Sequence, residues 1–392
     1  MHAVPAGRLA HPTASETPRP VEGARHGVVY RDPFAYCAHP HIARLRDGAW
    51  LLVFNRSVRR PFVLHPPQDP HFYNVTMRSD DEGQTWTPPQ VAPGYDRYGV
   101  ECAGLTALGS GVVLLHQWQF RWYPLAAAHQ RPDASDLIFP RDLTAGLVAS
   151  PELATPAEVA ASPDALLPWA RGNGGTFVHR SHDGGRTWAE THEIETRPYP
   201  GGYGLRAAVE VPAGPLLLPL SDVPEYRRIF AVRSADGGRT WTAPTPVAAE
   251  DGRWFEEPAP VILPSGRLLV LLRENRTREL HQVESTDGGQ TWSRPRPTGI
   301  AGYPAHLTLL PDGRILCVYG HRRPDYAIHA IVSHDDGQSW EVRDTRVVRG
   351  GLLNRDLGYP TSAVTTAGEV FTVYYCQDRN SVTGIEATTY RI

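Results

Sequence analysis

Ser181-His182-Asp183-Gly184-Gly185-Arg186-Thr187-Trp188 is one of five copies of the pattern Ser-x-Asp-x-Gly-x-Thr-Trp. The others are Ser79–Trp86, Ser234–Trp241, Ser285–Trp292 and Ser333–Trp340, the last with Ser339 in place of Thr. Five matches to an eight-residue pattern are not accidental, and each position has a physical task. The Ser and Asp side chains bond to backbone groups within one turn. The Gly supplies a positive φ where a hairpin folds back. The Thr resumes the strand, and the Trp adds a large apolar plate to pack between neighbouring sheets. One catalytic site has no use for five equivalent carboxylates, so Asp81, Asp183, Asp236, Asp287 and Asp335 read as hairpin staples, not as metal ligands or acid–base groups.

The last four copies start 53, 51 and 48 residues apart, a period that suits one four-stranded blade. Upstream of each box lies a strand, a turn and a second strand. Examples are His39–Leu45 followed by Trp50–Phe54, and Pro260–Leu263 followed by Arg267–Leu272. The same shape recurs from Glu101, Leu205, Tyr303 and Tyr359, which makes six units and predicts an all-β, six-bladed propeller. The sixth unit holds three strands, Tyr359–Thr365, Val370–Tyr375 and Gly384–Tyr390. The segment Gly27–Arg31 is expected to pair into it and close the ring, removing two exposed edges. Residues 1–26, rich in Pro, Ala, Arg and His, read as a disordered tail, and 27–392 as a single propeller domain. The interval between the first two boxes, 102 residues, is about one blade too long. The surplus, near 124–172, reads as an insertion that roofs the channel mouth, with a helical turn at Val159–Leu167.

Composition narrows the chemistry. All 39 basic residues are arginine, which excludes Schiff-base lysines and leaves the guanidinium fork to hold any anionic substrate. The net charge of −3 gives no nucleic-acid footprint and no membrane-surface patch. Cys37, Cys102, Cys317 and Cys376 are scattered inside apolar runs and read as free buried thiols. The N-terminal stretch lacks an apolar core of the secretory kind and no run is long enough to span a bilayer, so the expected location is the cytoplasm. The pairs His39/His41 and His65/His71 lack the spacing of known ligand sets, so neither a metal nor a cofactor is expected.

In a propeller the first strand of each blade lines the central channel. The heads of the six first strands carry His39 and His41, Glu101, Arg206, Glu256 and Glu257, Tyr303 and His306, and Tyr359. Residues leaving the second strands add Asn55, Arg56, His116, Arg121, Asp222, Arg273, Glu274, His321, Arg322 and Gln377. Such a convergence of carboxylates, histidines, arginines and a tyrosine is the composition of an active site. The loop Arg59–Phe72 carries His65, Asp69 and His71 to the rim, and the run Trp118–Tyr123 is a candidate sugar-stacking wall, with core packing expected for at least one tryptophan.

Boxes of this kind on six blades resemble the sialidase superfamily, whose active members hydrolyse terminal sialic acids. The resemblance implies a tyrosine nucleophile activated by a glutamate base, a carboxylic general acid, and three arginines on the substrate carboxylate. A neutral phenol suits this reaction because the anomeric carbon bears a carboxylate that repels an anionic nucleophile. Tyr359 in Gly358-Tyr359-Pro360-Thr361-Ser362 then corresponds to the nucleophile and Glu257 to its base, with Glu256 able to exchange roles. Arg273 and Arg322 correspond to two arginines of the clamp, Arg323 being equally placed, and Asp69 to the general acid. Blade one departs from the family. Its Phe/Tyr-Arg-Ile-Pro motif is replaced by Tyr36-Cys37-Ala38-His39-Pro40-His41, with histidine where arginine is expected, and Arg206 could supply a substitute cation. His39, His41, Glu101 and His306 complete the expected substrate-binding set. The leading expectation is an exo-glycosidase acting on a terminal acidic sugar or oligosaccharide. The additional histidines keep open a polysaccharide lyase acting beside a uronic acid, and the fold keeps open a non-catalytic carbohydrate-binding propeller.

Overall fold

Six antiparallel sheets follow one another along the chain in a computed structural model that describes residues 18–60, 63–94, 99–101, 103–140 and 168–392. Together they form the six-bladed propeller. Blade one consists of Ala35–Arg44, Trp50–Val58, Tyr73–Ser79 and Gln90–Val91. Blade two is Gly104–Ala107, Val113–Pro124, Trp169–Ser181 and Glu190–Ile194. The inner edge of blade three is divided between Gly201–Tyr203 and Val209–Glu210, which both pair with Leu216–Val223, followed by Ile229–Ser234 and Thr245–Ala248. Phe255–Ile262, Leu268–Glu274, Glu279–Ser285 and Arg296–Pro297 make blade four, and Ala305–Leu309, Ile315–His321, Ala327–Ser333 and Arg346–Arg349 make blade five. Blade six holds Gly358–Val364, Val370–Gln377 and Thr383–Arg391, and takes its outer strand, Glu22–Tyr30, from the start of the chain.

The closure is the expected one, but strand structure begins earlier than expected. The closing strand starts at Glu22, and Arg19–Pro20 adds in parallel to the outer edge of blade five. The boundary of a tail at residue 26 is therefore corrected, because backbone groups from 19 onward satisfy the outer edges of two blades. Residues 1–17 lie outside the described part. The surplus in blade two is the tip of a long hairpin, whose strands stay paired out to Pro124 and Trp169. A short helix, Leu125–Ala128, starts that tip, while the turn expected at 159–167 falls outside the described residues. Among the described residues no helix is long and apolar enough to cross a membrane.

The boxes act as anticipated. In Ser181–Trp188 the Ser181 hydroxyl donates to Asp183 Oδ1 at 2.8 Å and accepts from Gly185 N at 2.8 Å. Asp183 also accepts from Thr187 N and Thr187 Oγ1 at 2.8 and 2.6 Å. The box glycine does more than turn the chain. A Cβ on Gly83, Gly185, Gly238, Gly289 or Gly337 would lie 2.2–2.9 Å from a Phe or Leu side chain of the preceding blade. Each box is thus also the point where one blade docks on its neighbour.

The inner edges face the channel without another strand to pair with, and neighbouring side chains satisfy them. Ile42 N donates to Thr361 Oγ1, Leu105 N to His41 Nδ1, and Ala208 N to Thr106 Oγ1. Likewise Glu257 N donates to Ser221 Oγ and Ser362 N to His306 Nδ1. Each acceptor comes from the preceding blade, so the blades are stitched in one rotational sense around the axis.

Candidate active site

Three inner strands deliver their head residues by the same device. His39, Glu257 and Tyr359 have φ values of 55°, 52° and 47°, and each precedes a proline (Pro40, Pro258, Pro360). At each the strand register shifts, between Ala38 and His41, Glu256 and Ala259, and Gly358 and Thr361. These are β-bulges, which re-aim a side chain out of the regular alternation. Left-handed backbone at a residue before proline is disfavoured, and such strain is retained where the surroundings over-determine it. Here it turns three side chains from blades one, four and six into one place.

At that place the Tyr359 hydroxyl donates a short hydrogen bond to Glu257 Oε1. Arg273 Nη1 donates to Glu257 Oε2 at 2.9 Å, and its Nε lies 2.9 Å from Glu256 Oε1. Asn275 receives a bond from Arg273 Nε at 2.8 Å and returns one to Glu256 at 2.8 Å. Burial works against the charge on Arg273, yet Glu256 and Glu257 hold its pKa well above the ordinary value. Burial is also the main influence raising the pKa of Glu256, opposed by Arg273 and aided by repulsion from Glu257. The Tyr–Glu–Arg constellation expected from the sequence is assembled.

Arg322 lies beside it, its guanidinium carbon 5.2 Å from the Tyr359 ring and 5.8 Å from that of Tyr303. Its Nε donates to Leu357 O and its Nη2 to Tyr375 Oη, both at 2.9 Å. Whereas Arg273 is committed to two carboxylates, Arg322 forms no ion pair with any described residue. Arg323 is exposed, whereas Arg322 reaches the Tyr359 ring.

His39 packs edge-on to Tyr359, ring centroids 4.3 Å apart, and 5.1 Å from Tyr375. Burial drives its pKa well below the ordinary value, with His65 and Arg322 adding to the effect, so the ring is neutral. Asn55 Nδ2 donates to Asn74, leaving Asn55 Oδ1 to accept from His39 Nδ1 at 3.0 Å. That network assigns the proton to Nδ1 and leaves Nε2 with its lone pair. Blade one therefore offers a neutral acceptor where the resemblance implies a cation.

Other expected residues lie elsewhere or do other work. His41 and His306 face each other at 5.8 Å, one step further along their strands, and their Nδ1 atoms accept the inner-edge N–H groups of Leu105 and Ser362. Burial keeps both neutral, as accepting requires. They seal seams, a correction to their expected contact with substrate. Arg206 is buried and reaches blade five, donating from Nε to Ala305 O at 2.8 Å. Glu101 is buried at the head of blade two, near enough to Arg171 for its charge to count there. Asp222 and Glu274 close turns, accepting backbone N–H groups of Arg227 and Arg228, and of Trp254, Arg276 and Thr277. In the aromatic run, Trp118, Phe120 and Trp122 are buried core, which removes the proposed stacking wall.

Asp69 is the main departure. It is 1% exposed and bonded by Arg60 Nε at 2.5 Å, Arg60 Nη2 at 3.1 Å, and His71 through both N and Nδ1 at 3.0 and 2.8 Å. Burial pushes its pKa upward, but Arg60 and His71 outweigh it and the net shift is downward. A carboxylate held ionised cannot serve as a proton donor. The 3-10 turn Pro66–Gln68 separates Asp69 from His65 along the loop. His65 stands 5.8 Å from His39 and 6.4 Å from Tyr36, ring to ring. Two further members were not anticipated. Asp356, from the loop before blade six, accepts from the Tyr36 hydroxyl at 2.9 Å, and Tyr375 bonds Arg322 from the second strand of that blade. Among the described residues no group of three or more His, Cys, Asp or Glu is arranged to hold a metal ion.

Comparison with known proteins places the chain. The family described as BNR repeat-like domain matches residues 165–372. A protein of unknown function from Dyadobacter fermentans is 23% identical, with a TM-score of 0.75 over 94% of this chain and 99% of that one. An intramolecular trans-sialidase from Ruminococcus gnavus, solved with oseltamivir carboxylate, is 16% identical, with a TM-score of 0.64 over 91% and 94%. The NanB sialidase of Streptococcus pneumoniae, in its K499G form, is 12% identical, with a TM-score of 0.63 over 95% of this chain and 71% of that one. No curated protein sequence matches. These likenesses carry the fold, and the family match extends over more than half of the sequence. The chain belongs to the BNR repeat-like family.

Proposed function

We propose that this propeller is a retaining exo-glycosidase that removes a terminal acidic sugar, sialic acid or a related keto-acid, from an oligosaccharide. The observation that carries the reading is the hydrogen bond from the Tyr359 hydroxyl to Glu257, made between buried groups of different blades. Glu257 takes the phenolic proton as the oxygen attacks the anomeric carbon, and Arg273 holds the glutamate in place through its other oxygen. Arg322, with no carboxylate of its own, supplies the cation for the sugar carboxylate. Trapping tests the reading. An activated fluorosugar of the sialic acid type should leave a glycosyl adduct on Tyr359, found by peptide mass spectrometry. Inactivation with the label elsewhere would refute it.

A second reading, a lyase that eliminates beside a uronic acid, is favoured by one feature. His39 is neutral, has its Nε2 lone pair available, and adjoins Tyr359, as proton abstraction next to a neutralised carboxylate requires. A product absorbing at the ultraviolet edge would select elimination, and a new reducing end without absorbance would select hydrolysis.

A further inference from the structure

We propose that His65, and not a carboxylic acid, protonates the leaving group in this site, an inference that rests on the glycosidase reading above. The hydrolysis needs a proton at the glycosidic oxygen when the bond to the anomeric carbon breaks. The loop 59–72 is the expected source, and its one carboxylate is locked away on Arg60 and His71. The remaining proton carriers on the loop are two histidines. His71 is half exposed and spent on Asp69, while His65 stands with His39 and Tyr36.

His65 is also built into position. Its backbone N–H donates to Gln68 Oε1 at 2.8 Å and its carbonyl accepts from Gln68 N at 2.9 Å. The long hairpin of blade two braces the next residues, with Arg171 Nη1 donating to Pro67 O at 3.0 Å and Trp169 Nε1 to Gln68 O at 3.4 Å. A loop pinned from two sides holds its side chain within the tolerance that proton transfer demands. The charged groups facing the ring are Asp356 from the loop before blade six, Arg355 beside it, Arg322 of blade five and Arg273 of blade four, with neutral His39 of blade one. Asp356 favours the imidazolium, while burial and the three arginines oppose it, and the balance places the His65 pKa below its ordinary value.

The step balances. Tyr359 gives its proton to Glu257 and its oxygen bonds the anomeric carbon. The glycosidic C–O bond breaks, and the departing oxygen takes the proton of the His65 imidazolium, leaving neutral His65 and a free alcohol. Neutral His65 then removes a proton from water as it attacks the anomeric carbon, and the Tyr359 oxygen leaves and recovers its proton from Glu257. Because the imidazolium is the active form and its pKa is lowered, turnover of substrates with poor leaving groups should fall as pH rises toward neutrality.

The test compares two sialosides, one with a 4-nitrophenol leaving group that needs no proton and one with an alkyl alcohol that does. His65→Ala should lose about 100-fold or more in kcat/KM on the alkyl sialoside and under about 10-fold on the nitrophenyl one. The alkaline limb of the alkyl profile should disappear in the same variant. His65→Gln, which keeps the bulk of the ring, should behave as His65→Ala does and guards against loss of the loop. Equal losses on both substrates, or an unchanged alkaline limb, would overturn the role of His65 while leaving the Tyr359 mechanism intact. Undiminished activity of Tyr359→Phe on both substrates would overturn the mechanism and the proposal together.

Discussion

Asp183 and Glu257 are both carboxylates near strand ends of the same propeller, and they live in opposite ways. Asp183 is satisfied within its own eight residues, by Ser181 and Thr187. Glu257 is satisfied by Tyr359, 102 residues away, and by Arg273, 16 away on the adjacent strand. The first belongs to an element that can form wherever its short motif occurs. The second gains its hydroxyl partner only when blades four and six meet. Local satisfaction makes a repeatable structural part, and long-range satisfaction makes a single site.

Breaking the long-range side should cost most. Tyr359→Phe and Glu257→Gln should each lower kcat on an aryl sialoside by about 1,000-fold or more with little change in KM, measured by phenol release, since a missing nucleophile acts in the transition state. A KM effect alone would move Tyr359 to substrate binding. Arg273→Met should destabilise the fold by about 3–5 kcal/mol in urea unfolding, because it leaves Glu256 and Glu257 together in a buried place without their cation.

On the local side the effects should be smaller and confined to stability. Gly289→Ala should cost about 2–4 kcal/mol, since φ is +82° and the new Cβ would meet Leu217 at 2.2 Å. Asp183→Ala should cost about 1–2 kcal/mol with kcat unchanged, as befits a staple losing its hydrogen bonds. Against the opposing push of burial, Thr187 and neighbouring donors bring the Asp183 pKa down to about 2 from 3.8. Its stabilisation is therefore full above about pH 4 and fades toward pH 2. The acid limb of wild-type unfolding should flatten in Asp183→Ala. Arg323→Ala, beside Arg322 in sequence but exposed, should change neither kcat/KM nor stability by more than about 0.5 kcal/mol.

The contrast explains what could be read from the sequence. Ser-x-Asp-x-Gly-x-Thr-Trp announces itself because all its contacts are internal, and five copies then count the blades and mark where each first strand begins. Tyr359, Glu257, Arg273 and Arg322 were legible through that frame, at positions a propeller turns inward. Asp69 was expected at the rim, but it is buried on Arg60 and His71, contacts that the strand period does not index. Asp356 lies in a loop the pattern does not index, and Tyr375 was assigned to a strand without a role. His41 and His306 were read as substrate-binding for want of knowing that inner edges need acceptors. One signal went unread. Proline follows His39, Glu257 and Tyr359 alike, and marks the three bulges that build the site.

The outer strand of blade six, Glu22–Tyr30, pairs with Thr383–Arg391, so an early and a late strand of the described chain share one sheet. During synthesis the first of these must wait while more than 350 intervening residues emerge, and the sheet bearing Tyr359 finishes only when both are present. Blade six is then completed in one step, when Thr383–Arg391 joins Glu22–Tyr30. A product cut short before Thr383 would keep five sound blades and display unsatisfied edges open to pairing with another chain.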